Sequence, residues 1–325
     1  MSGMRNSFVA ALSGIVLAVG VSSVPACAED RILVVGSGEV AGMFYPEAGA
    51  LCRIINKDRA QNGLRCVVEP SAGSSANIAA LQSGQQQVAV VQSRMLAQAV
   101  AGAGPFDKKP HGELRSLFSL HGEAVVLVAG PNSKIKSAAD LKGKRVSLGS
   151  PSSFQHMMSE SLLEAVGLKP AELAAALEMD PARQVKALCA NELDAAVFTG
   201  LTPVTEVQEA LDDCGAELVP VKGASVDAYL SSHPGYDRQT IAEDDYQGLK
   251  TSVPTIGLRA VVATTDKLSV QDAEAVVKAA FGNLGSLRAM HPLLAGLDKK
   301  AMARDGMAAP LHDGAQKYYR ENGLP

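Results

Sequence analysis

Apolar residues in this chain fall into short runs that stop at small or polar residues. Residues 31–35 form one such run and end at Gly36-Ser37-Gly38, the pattern of a buried strand entering a turn. Across 46–57, Leu51, Ile54 and Ile55 recur at helical spacing. Leu64–Glu69 predicts a second strand, 78–82 a helix closed by Gly84, and 88–91 a third strand. Strand, helix, strand, helix, strand is an α/β unit.

The same plan then recurs. Residues 145–148 predict a strand ending in Gly149-Ser150, the counterpart of Gly36-Ser37. Residues 159–166 and 183–190 have helical spacing, and 195–198 read as another strand. Laying Leu188 on Leu81 puts Asn191 on Gly84 and Thr199 on Gln92. In open α/β sheets, ligands sit beyond the carboxyl ends of the strands. Two such units facing each other make a cleft, with Ser37, Ser74 and Gln92 on one wall and Ser150, Ser153 and Thr199 on the other. Apolar runs at 124–129 and 256–263 predict two strands crossing between the units as a hinge. The helical segment 270–283 should return to the first unit. The expected architecture is a two-lobed α/β fold, with lobe I at 29–127 and 255–325 and lobe II at 128–254.

The first 28 residues stand apart. Arg5 is the only charge before Glu29, and an apolar stretch at 8–24 leads to Ala26-Cys27-Ala28. That is a secretory signal peptide with cleavage after Ala28, which places the rest in the periplasm. Lipid attachment at Cys27 is the alternative. Gly14, Gly20, Ser22 and Ser23 argue against a spanning helix there. No later apolar segment reaches membrane-spanning length, so a membrane partner must be a separate chain. The net charge is −4, with 30 basic and 34 acidic residues and no basic run, which excludes a nucleic-acid partner.

Of five cysteines, Cys52, Cys66, Cys189 and Cys214 survive cleavage. An even number in an oxidising compartment reads as disulfides. Three connectivities are open. The local pairs Cys52–Cys66 and Cys189–Cys214 are favoured, because each joins a predicted helix to a segment soon after it. Each such loop contributes roughly 3 kcal/mol in the chain-entropy model. No Cys-x-x-Cys or Cys–His cluster occurs, so neither a metal nor another cofactor is expected.

The stretch from Gly36-Ser37-Gly38 to Phe44-Tyr45-Pro46 resembles the opening signature of the TAXI family, the solute receptors of a class of TRAP transporters. Leu51-Cys52-Arg53 with Asn56-Lys57, and Arg65-Cys66 followed by Glu69, are similar to that family too. So are His291-Pro292, Ala309-Pro310-Leu311-His312 and Lys317-Tyr318-Tyr319 near the end. Ala139-Asp140-Leu141-Lys142-Gly143-Lys144-Arg145-Val146 resembles the second-lobe entry of type II periplasmic binding proteins generally. The resemblance implies a monomeric two-lobe receptor that passes a small organic anion, a carboxylate or amino acid, to a TRAP-type permease. Ser37, Tyr45, Ser74, Asn77, Gln92 and Thr199 carry over best as ligand contacts.

The pocket departs from the family elsewhere. Arg94 stands where an Asp is usual, and His156 where an Arg is usual. Arg94 is therefore expected to supply the cation that the second lobe lacks. A protonated His156 would favour an anion, so affinity would rise on acidification through about pH 6.5. Ser37 and Ser74 also suit helix caps, a role that does not exclude anion binding.

Rival readings are weaker. Gly36-Ser37-Gly38 with Gly42 and Glu69 mimics a dinucleotide fingerprint, but Phe44-Tyr45-Pro46 is unusual there. Ser153 and His156 are close enough in sequence for a nucleophile–base pair, but no Gly-x-Ser-x-Gly elbow occurs. His121-Gly122-Glu123 has a deaminase-like His-x-Glu without the Pro-Cys-x-x-Cys partner. A ligand sensor without a transport role remains the alternative to a transporter receptor.

Overall fold

The computed structural model describes Met1, Gly3 and residues 31–325. The expected signal segment with its cleavage site, and Cys27, fall outside the described residues. The chain opens with β1 (Arg31–Gly36), α1 (Phe44–Lys57), a single turn α2 (Arg59–Asn62) and β2 (Leu64–Glu69). Next come α3 (Ser74–Ser83), β3 (Val88–Gln92), α4 (Ser93–Ala101) and a long strand β4 (Leu114–Ala129). A second unit follows with β5 (Arg145–Ser147), α5 (Phe154–Ala165), β6 (Ala175–Leu177), α6 (Pro181–Cys189) and β7 (Ala195–Gly200). Then α7 (Thr205–Cys214), β8 (Glu217–Val219), α8 (Ala224–Ser232) and β9 (Tyr236–Ile241) lead to the second long strand, β10 (Val253–Thr265). The C-terminal helices are α9 (Val270–Gly282), α10 (Leu284–Met290), α11 (Lys299–Arg304) and α12 (Asp313–Glu321).

One ten-stranded sheet runs through both units in the order β2-β1-β3-β10-β4-β7-β5-β6, with β9 on β10 and β8 on β4. β2, β1 and β3 are parallel, as are β7, β5 and β6. The long strands β4 and β10 pair antiparallel with each other and join the two parallel sets. This is the two-lobed α/β design with two crossing strands.

Apolar burial divides accordingly. Leu117, Phe118, Ala260 and Val262 pack with α1, α9 and α12 in one core, through Leu51, Ile54, Ile55 and Phe281. Val125, Leu127, Ile256 and Leu258 pack with α5 in another, through Met158 and Leu162. The switch falls at 121–123 of β4 and near Arg259 of β10. We propose those points as the lobe junctions, several residues inward of cuts at 127 and 254. Gly257 pairs with Ala124 at this crossing, and a side chain there would run into the Glu123 carbonyl and the Gln239 amide. Among the described residues no helix is long and apolar enough to cross a membrane.

Both local disulfides are present. Cys52 of α1 bonds Cys66 of β2, and Cys189 of α6 bonds Cys214 of α7. Each lies within one lobe and neither spans the crossing. Alkylation of the native protein after removal of residues 1–28 should label no thiol, and reduction should expose four. A native protein that takes up alkylating reagent without reductant would contradict this pairing.

Candidate functional site

The carboxyl ends of β1 and β3 and the start of α5 converge on a cleft of about 500 Å3. Gly38, Gly73 and Gln92 line it from one lobe, Phe154 from the other, and Glu123 from the crossing strand. Phe44, at the start of α1, closes one side.

The walls are held by side-chain hydrogen bonds to backbone. Ser37 is fully buried, and its hydroxyl bonds the Glu69 and Gly38 carbonyls rather than capping a helix. Asn77 is equally buried and donates to the carbonyls of Ser37 and Val90 (2.9 Å), tying the end of β1 to β3. Its Oδ1 has no partner. The Ser74 hydroxyl accepts the Gln92 N–H at 3.0 Å and so fixes the end of β3 against α3. Gly73, at φ 98°, makes the sharp entry into α3, whose first turn has no side-chain cap. That helix start is polarised to attract negative charge.

The other wall is arranged differently. Helix α5 begins at Phe154, five residues earlier than its apolar spacing predicts, because Ser153 caps it. The Ser153 hydroxyl donates to Ser150 O at 2.6 Å and accepts the His156 N–H at 3.0 Å. His156 lies in the first turn, half-buried, with Nε2 3.7 Å from Glu160 and a buried Nδ1 without a partner. Thr199 is half-buried on β7 opposite Val125, and Tyr45 is half-buried in the first turn of α1. Arg94, on α4, extends to Met157 Sδ at 3.0 Å on α5 and lines a separate groove of about 380 Å3 with Tyr229 and His233. Of the ten expected ligand contacts, the cleft lining therefore includes Gln92, with Ser37, Ser74, Asn77 and Ser153 shaping it from behind.

In the sequence, the charged group of the cleft stands out only as part of a deaminase-like His-x-Glu. Glu123 is 8% exposed, lines the cleft and accepts a hydrogen bond from the Gln92 side chain. Behind it, His121 Nδ1 lies 2.5 Å from Glu47 Oε1, with both side chains essentially inaccessible. Burial alone would lower the His121 pKa, but the charge and hydrogen bond of Glu47, and then the charge of Glu123, raise it overall. Burial raises the Glu123 pKa, and Glu47 adds to that, against the opposing effects of His121 and Gln92. The signal was available: His121 and Glu123 are two residues apart in one strand, so both side chains fall on the same face of it.

A larger groove of about 660 Å3 runs along Gly122 and Arg259, bordered by Thr202, Gln239 and the 292–305 segment. Its arginines are already engaged. Arg259 pairs with Asp237 and Asp305, Arg304 with Asp305, and Arg238 with Asp227. Among the described residues no group of His, Cys, Asp and Glu side chains could hold a metal ion.

The sequence pattern of the NMT1-like family matches residues 35–323. Among solved structures, a TctC solute binding protein from Polaromonas is 14% identical, with a TM-score of 0.52 over 80% of this chain and 87% of that one. The periplasmic aliphatic sulphonate binding protein SsuA from Escherichia coli is 14% identical, with a TM-score of 0.42 over 82% and 80%. A putative periplasmic sulfonate-binding protein from Methylobacillus flagellatus is also 14% identical, with a TM-score of 0.48 over 90% and 85%. At 14% identity the likeness to the TctC protein is one of fold.

Proposed function

The chain belongs to the NMT1-like family, and from that premise we propose that it is an extracytoplasmic solute receptor. It captures a small organic acid, a carboxylate or amino acid, between its lobes and hands it to a TRAP-type permease. The observation that carries this reading is the interlobe cleft itself. Its volume of about 500 Å3 lies within the range of about 300–1,000 Å3 usual for small-molecule sites. Both lobes and a crossing strand contribute to it, so a ligand that touches all three favours one relative placement of the lobes over others.

The uncapped start of α3 beside Gly73 supports an acidic group on the ligand. The TRAP-type partner rests on the resemblance of the segment from Gly36 to Pro46 to TAXI receptors. Binding rather than catalysis is supported by Ser153. Its hydroxyl is committed to the helix cap and to Ser150 O, leaving it no base among its partners.

A thermal-shift screen of amino acids, dicarboxylates, sugars and neutral osmolytes tests the ligand class. A true ligand at 100-fold excess over its dissociation constant should stabilise the fold by about 2.7 kcal/mol. Small-angle scattering should then show a smaller radius of gyration with the ligand than without it. A bound ligand that leaves the radius unchanged would argue against a two-lobe clamp.

A further inference from the structure

Charge inside the cleft runs against a ligand that is purely anionic. The lining residues include two carboxylates, Glu39 at the exposed mouth and Glu123 at the buried floor, and no Lys or Arg. Arg94 lies in the neighbouring groove, and Arg259 is held by Asp237 and Asp305. His121 faces Glu47, so its charge is already matched when both are ionised. Ionised Glu123 then leaves the buried cluster Glu47–His121–Glu123 with one uncompensated negative charge. The hydrogen bond from Gln92 is neutral and does not cancel it. Burying a carboxylate without a cation is costly, and the group either takes a proton or finds a positive partner.

We infer that the ligand brings that partner: Glu123 receives a protonated nitrogen, so the solute is an amino acid or a related ammonium-bearing acid rather than a simple carboxylate. This rests on the solute-receptor reading and narrows it. The position suits the role. Glu123 sits on β4 opposite Leu258 of β10, where the lobes join. A cation gripped there contacts the strand that carries the hinge, while an acidic group on the same molecule reaches the start of α3. Glu47 and His121, locked together behind Glu123, hold its charge in place without reaching the ligand.

The test uses matched pairs: amino acids against the same acids lacking the amino group, by titration calorimetry on the full mature chain. Loss of a charged hydrogen-bond partner in a desolvated site should weaken the des-amino member by about tenfold or more. Glu123→Gln keeps the shape and the Gln92 contact but removes the charge, so it should abolish the preference within each pair. Affinity of the parent for the amine should fall on acidification as Glu123 takes a proton, and Glu123→Gln should lose that dependence. Thermal unfolding of Glu123→Gln checks that it folds. Equal binding of both members of a pair, or a preference that survives Glu123→Gln, would overturn the inference and leave the receptor reading standing. If neither member of any pair binds and scattering shows no closure, both readings fall.

Discussion

Glu47→Ala should cost the fold about 1–3 kcal/mol, because it removes the hydrogen-bonded anion from buried His121. The pair it breaks is His121 Nδ1 to Glu47 Oε1 at 2.5 Å, with side chains 1% and 0% exposed. The loss should depend on pH. The His121 pKa is raised in the fold, so the folded protein holds this proton more tightly than the unfolded chain does. Its contribution is fully present below about pH 6.5, the ordinary imidazole value, and is lost as pH rises through the raised one. Glu123 acts in the same sense. Its raised pKa favours the fold below the ordinary Glu value of about 4.3, an advantage lost as pH rises through the folded value. Urea titrations between pH 5.5 and about 8 should therefore show the parent losing stability upward, and Glu47→Ala showing a shallower slope. Equal midpoints for the two proteins at low and high pH would defeat this account.

The second large effect lies at Arg259. Its guanidinium pairs with Asp237 at the start of β9 and, at 3.5 Å, with Asp305 beyond α11. All three side chains are less than 20% exposed. Burial pushes the Asp237 carboxyl above its usual range, against the charge and hydrogen bond of Arg259. Arg259→Ala would leave that carboxyl buried and unpaired, at a cost of about 3–5 kcal/mol. Asp237→Asn in the same chain removes the stranded charge and should recover part of the loss. A double-mutant cycle should give a coupling of about 0.5–3 kcal/mol, the range for residues in one network. Strict additivity would mean that the pair contributes nothing beyond its separate packing.

Much of the fold was legible in the sequence. Strand β2 was expected at Leu64–Glu69 and occurs there, and β1 and α1 differ from expectation by no more than two residues at either end. Their apolar positions face one core each, so periodicity reported them faithfully. Strand β4 is different. Only its 124–129 part was expected, yet it begins at Leu114. His121 and Glu123 lie before the apolar run at 124–129, and Glu47, which makes His121 part of the core, lies far away in the chain. Strand β9, Tyr-Asp-Arg-Gln-Thr-Ile, carries too little apolar patterning to announce itself, and its pairing with β10 makes it a strand.

The site was legible by topology and less so by chemistry. Strand ends pointed to the region of the cleft: Gln92 lines it, while Ser37 lies buried behind it. Whether a hydroxyl faces the ligand or a backbone carbonyl depends on neighbours that no local pattern records. Ser37 and Ser153 turned out to be occupied by backbone, and the charged residue of the floor came from the hinge strand.

The strand order has a consequence for how the chain assembles as it emerges. β3 lies between β1 and β10, and Thr264 of β10 donates to Gln87 O across 177 positions. Everything between, including the whole second lobe, must appear before the first sheet gains its central strand. Until then β3 presents an apolar edge, Val88 to Val91, with unpaired backbone groups that invite pairing with another chain. Contacts of such long sequence separation also make folding slow. The Cys52–Cys66 bond needs only residues that emerge early, so it can pin α1 to β2 well before β10 arrives. The first lobe thus begins folding first and finishes last, and the interval between is when the chain most needs protection from its own kind.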